Sequence, residues 1–141
     1  MFRRMSALTT VGRVIYALPF AIFGISHFLE GKQMVGSVPV PGGVFWIYFT
    51  GAAMVAASIG IITKILGKWA SLGLALLLLL FVLFVHIPGL SNPAMRPLHI
   101  MSLLKDTALL GAALTIAGLF IADEAEKKHR VAAPHPIGAT P

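Results

Sequence analysis

Six ionisable side chains stand where long apolar runs begin or end. His27 and Glu30 close the first run, His86 closes the third, and His99, Lys105 and Asp106 open the fourth. Imidazole beside carboxylate can donate, accept and pass protons between an apolar site and water. Within GRVIYALPFAIFGISHFLE (residues 12–30), Arg13, Tyr16, Phe20, Phe23, His27 and Glu30 recur at helical spacings and share one face. His99, Ser102 and Asp106 share a face in the fourth run, with Lys105 beside it. Polar groups in a membrane are costly unless they are paired, hydrated or used.

Histidine with a carboxylate near a membrane surface suits hydrogen bonding to a quinone head group and proton exchange with the outer aqueous phase. Axial ligation of a haem by His27 and His86 is disfavoured, because both sit at helix ends beside Glu or Pro. No HExxH-like spacing supports a His/Glu/Asp metal site. Each residue also has a purely structural explanation. Helix C-termini favour His27 and His86, a helix start favours Asp106, and Lys105 can snorkel or pair with Asp106. His99 reads as a solvated loop residue, and Phe20, Phe23 and Phe28 read as core or lipid-facing surface.

These residues need a scaffold, and composition says which. Of 141 residues, 57% are hydrophobic and 11% charged, against about 25% charged in soluble domains. The chain therefore reads as an all-α integral membrane four-helix bundle with spans at about 11–29, 44–63, 69–87 and 98–122. One domain covers 1–130, and 131–141 reads as a disordered tail. The first span is too long for a typical signal-peptide core, and Gly24-Ile25-Ser26 matches a cleavage site poorly, so it reads as an uncleaved anchor.

The net charge of +6 comes from basic residues clustered between apolar runs, which points to membrane orientation and anionic lipid rather than nucleic acid. Arg3, Arg4, Arg13, Lys64, Lys68, Lys127, Lys128 and Arg130 fall on one side of a four-span topology, and only Lys32, Arg96 and Lys105 on the other. The positive-inside rule makes the first side, with both termini, cytoplasmic. Spans one and three then run outward, which delivers all six candidate residues to the outer layer. The absence of cysteine excludes disulfides, thiolate metal ligands, Fe–S clusters and thiol redox by this chain's own side chains.

Between the first two spans, Gly36, Pro39, Pro41, Gly42 and Gly43 interrupt helix in an apolar loop expected at the bundle mouth. Phe45, Trp46, Tyr48 and Phe49 then form a headgroup-layer cluster. Pro88-Gly89 is expected to end the third helix, and Asp123–Lys127 and Glu124–Lys128 to pair along an aqueous extension of the fourth. Ala52/Ala56/Gly60 and Gly111/Thr115/Gly118/Ala122 form small-residue stripes that permit close helix approach. They support an alternative function, a non-catalytic membrane interaction or assembly protein. A permease is disfavoured for want of polar residues at mid-membrane depth.

Over residues 11–122, Gly24-Ile25-Ser26-His27-Phe28 and Leu104-Lys105-Asp106 with Gly111 resemble the DoxX-like family of small four-helix membrane proteins. The resemblance implies a bacterial inner-membrane protein and quinone-linked redox work, as a membrane subunit or accessory protein with a redox partner subunit or a second copy of itself. Many relatives carry a glutamate in the second span, where this chain has Gly51, Ala52, Ala53 and Met54. Glu30 or Asp106 would have to take that role.

Overall fold

In a computed structural model, described for residues 7–37 and 42–132, four long helices make up almost all of the described residues. They are α1 (Ala7–Met34), α2 (Val44–Thr63), α3 (Gly67–Gly89) and α4 (Arg96–Ala132), with one 3-10 turn at Val35–Ser37. All four are long and apolar enough to cross a membrane, so this is a multi-pass membrane protein built as an all-α four-helix bundle. Helix α1 packs on α2, α2 on α3, and α3 on α4. The expected spans fall inside these helices.

The ends are set by packing that hydropathy does not reveal. Helix α1 continues past residue 29 to Met34, and Gly31 lets this last part pass close under Tyr48, where a Cβ would come 2.7 Å from the ring. Helix α4 reaches Ala132, so Val131 and Ala132 are helical, whereas residues 133–141 of the expected tail lie outside the described residues. At about 1.5 Å per residue, its 37 residues outrun a hydrocarbon core of roughly 30 Å. Its charged end stands beyond the apolar stretch. Asp123 pairs there with Lys127 as expected, but Glu124 reaches across to Lys68 at 2.6 Å instead of Lys128. That contact ties α4 to the start of α3.

The α2–α3 turn is tight enough to force Lys64 (φ 67°) and Leu66 (φ 55°) into the left-handed region. Arg13, 2% exposed, reaches from α1 to the carbonyls of Ile61 and Ile62 at the end of α2 and lies over the Phe120 ring of α4. Terminal carbonyls of a helix have no partner within it, so this guanidinium supplies their donors. Arg13 Nε has no partner among the described residues. The core lies above this anchor and is built from Ala17, Phe20, Met54, Ile61, Leu74, Leu78, Ile116 and Phe120. Ser58 Oγ, also buried, donates to the Ala17 carbonyl at 2.8 Å.

Helices α1 and α2 approach closely where Gly24 faces Gly51. A Cβ on Gly24 would lie 2.6 Å from the Gly51 carbonyl oxygen, and one on Gly51 would lie 2.7 Å from His27 Cβ. The expected small-residue stripes do not do this job. Ala52, Ala56, Gly111, Thr115, Gly118 and Ala122 are exposed, and open space surrounds Gly111 and Gly118. Only Gly60 packs closely, against Ala70.

Candidate functional site

Helix α3 ends at Gly89, where Pro88-Gly89 is expected to end it. It passes through Pro88 to Gly89 by widening to a π turn over Val82–His86, in which the Ile87 N–H donates to the Val82 carbonyl. Proline has no N–H and crowds the carbonyls one turn back, and a π turn is one way to accommodate it. The turn inserts one residue into the helical repeat. The inward face set by Leu74 and Leu78 would pass to Val85 in a regular helix, and the inserted residue advances it to His86.

His86 thereby meets α4. Its Nε2–H donates to Asp106 Oδ2 at 2.9 Å, while Lys105 Nζ lies 3.5 Å from Asp106 Oδ1. Asp106 is 6% exposed, so its charge is offset by these two neighbours rather than by water. His99, one turn into α4, stacks obliquely on His86 with ring centroids 5.8 Å apart. It is half-buried against Gly89, where a Cβ would strike its ring at 2.3 Å, and is therefore not the solvated loop residue expected. The Nδ1 atoms of His86 and His99 are buried without a partner among the described residues.

His86, Lys105 and Asp106 border a cavity of about 510 Å³ walled by all four helices. Phe20, Phe23 and His27 line it from α1, and Trp46, Ile47, Thr50 and Met54 from α2. Leu77, Phe81, Phe84 and His86 line it from α3, and Lys105, Asp106 and Leu109 from α4. Met34, Val35 and Gly43 also border it, so the described ends of the first loop do lie at its mouth, while residues 38–41 lie outside the described residues. Below it, Tyr16 donates to the Leu109 carbonyl at 2.8 Å and ties α1 to α4. Phe20 and Phe23 are thus cavity walls as well as core and surface, whereas Phe28 stacks on Tyr48 at 5.8 Å away from it.

The six expected residues divide. His27, His86, Lys105 and Asp106 line the cavity together, and His99 backs His86 from behind. Glu30 does not join them: it is exposed and makes no ion pair or hydrogen bond among the described residues. At that level of α1 the buried position is Gly31, so Glu30 is turned outward. His27 Nδ1 bonds the Phe23 carbonyl at 2.7 Å, and His86 Nε2 is taken by Asp106. Among the described residues no group of three or more His, Asp or Glu is placed to hold a metal ion.

Sequence reasoning missed Thr50, Met54 and Phe84 as lining residues, because they look like the rest of an apolar helix. The π turn had one signal, a proline inside an uninterrupted apolar run. No family model, curated protein or solved structure matches the chain, so the site stands on its own geometry.

Proposed function

We propose that this protein holds a quinone or similar lipophilic ligand in the cavity, as a membrane subunit or accessory protein of a redox system. In this reading it lies in a bacterial inner membrane with both termini cytoplasmic and the cavity toward the periplasm. The observation that carries it is an aromatic, apolar chamber with Lys105, Asp106 and His86 gathered on its wall. A small number of polar groups in an apolar cavity is the usual form of a site for a lipophilic molecule with a polar head. The asymmetry of Lys and Arg between the two sides and the DoxX-like resemblance of residues 11–122 support the same assignment.

The chain supplies its own reporter. Of two tryptophans, Trp46 lines the cavity and Trp69 sits at the opposite end beside Lys68. In a Trp69→Phe variant, a short-chain benzoquinone should quench Trp46 saturably, and Lys105→Gln should weaken that binding about tenfold, as loss of a charge-assisted hydrogen bond does. Linear quenching, unchanged by that substitution, would refute the site.

A second reading rests on a separate observation, the open outward face of Gly111, Thr115, Gly118 and Ala122. In that reading the protein assembles with a second copy through this stripe and performs no catalysis. Replacing Gly111 and Gly118 with Leu should then abolish a dimer recovered in mild detergent. An intact dimer would refute it.

A further inference from the structure

We infer that the cavity selects the reduced, hydroquinone form of its ligand, and that His27 is the residue that makes the selection. The inference rests on the quinone reading above and adds a direction to it. A backbone carbonyl can only accept, so the 2.7 Å contact between His27 Nδ1 and the Phe23 carbonyl places the proton of the neutral ring on Nδ1. Nε2 is then a bare acceptor on the far side of the ring. It has no partner among the described residues, and His27 lines the cavity.

Lys105 offers the complementary function. Its ammonium lies 5.9 Å from the Phe23 ring centroid, so donor and acceptor flank the same aromatic residue. Asp106 Oδ2 accepts from His86 Nε2, and Oδ1 is ion-paired with Lys105 at 3.5 Å, so both oxygens of this buried carboxylate are engaged. His86 Nδ1 is also a bare acceptor but is buried, with no surface of its own open to the cavity; the polar functions left for a ligand are the Lys105 protons not turned to Asp106 and the His27 Nε2 acceptor. A quinone has only acceptor oxygens and leaves His27 Nε2 unmatched. A hydroquinone donates one hydroxyl to Nε2 and accepts from Lys105 through the other oxygen. An unmatched polar atom in a site favours the ligand that satisfies it.

The test measures a decyl-substituted benzoquinone and its hydroquinone separately, by anaerobic titration calorimetry on the full chain in mild detergent. The native protein should bind the hydroquinone about tenfold more tightly, the value of one hydrogen bond to an otherwise unpaired acceptor. His27→Leu should bring the two affinities within about twofold by weakening the hydroquinone alone, and His27→Gln, which restores an acceptor oxygen, should recover part of the preference. Equal affinities in the native protein, or tighter quinone binding, would overturn the inference and leave the binding site standing. A preference that survives in His27→Leu would also overturn it, by placing the acceptor elsewhere. Binding of neither form would remove both this inference and the quinone reading beneath it.

Discussion

Substituting Gly24 with Ala tests the contact that positions His27 over the cavity. The added methyl would lie 2.6 Å from the Gly51 carbonyl oxygen, 2.7 Å from Val55 Cγ2 and 3.1 Å from the Val55 backbone nitrogen. Carbon atoms rest at roughly 3.5–4.0 Å, so the overlap with Val55 Cγ2 is about 1 Å. Val55 can rotate away, but two of the three contacts are backbone, and α1 and α2 must separate to relieve them. Overpacking of this kind costs about 1–3 kcal/mol, while Ala in place of Gly favours a helix by ~0.5–1 kcal/mol. Backbone overlap wins, leaving a net loss of about 1–2 kcal/mol.

Gly111→Ala is the control, because nothing lies within 4 Å of its Cβ position. There the helix-propensity term acts alone and the protein should gain ~0.5–1 kcal/mol. Thermal unfolding in one mild detergent at one scan rate should show a lower midpoint for Gly24→Ala and an unchanged or higher one for Gly111→Ala. Separation at Gly24 also shifts the seat of His27 Cβ on Gly51, so quinone binding should weaken in the first variant and hold in the second. Equal midpoints would refute the close crossing. A destabilised Gly111→Ala would mean that this face is covered, as the assembly reading requires.

Two further predictions concern buried charge. Asp106→Ala removes the partner of His86 Nε2 and Lys105 Nζ at a site 6% exposed, and breaking a buried pair costs about 3–5 kcal/mol. Asp106→Asn keeps an oxygen acceptor for His86 and should lose distinctly less, which denaturation midpoints compare directly; equal losses would show that the hydrogen bond contributes nothing. Arg13→Met leaves the Ile61 and Ile62 carbonyls without their side-chain donor at the end of α2 and should destabilise by about 1–3 kcal/mol. Arg13→Lys should recover only part, since one ammonium cannot reproduce the planar fork; full recovery would mean that charge alone suffices.

Much of this architecture was legible in the chain because lipid imposes few alternatives. A bilayer forces backbone polar groups to pair within each segment, so four apolar runs of spanning length implied four helices. Alternation of direction then brought His27, His86, Lys105 and Asp106 to one end, and they do line one cavity. Helical spacing also placed His99 and Asp106 on a common face of α4, and both meet His86. Glu30 was misplaced by the same periodicity: a face read over a whole helix is too broad a stripe to say which residue of its last turn points inward.

Tertiary structure decided everything that depends on one helix meeting another. Hydropathy cannot distinguish a glycine that admits a neighbouring backbone, as Gly24 and Gly51 do, from one open to its surroundings, as Gly111 and Gly118 are. Nor can it separate a phenylalanine that walls a cavity from one that meets lipid, since both are simply apolar. The pairing of His86 with Asp106 required the π turn, whose extra residue rotates one side chain onto a partner twenty positions away. Composition and spacing act along the chain and therefore determined the helices, their number and the end that carries the chemistry. Which atoms touch depends on crossing points and on the rotation of each helix about its axis, and only the packed bundle determines those.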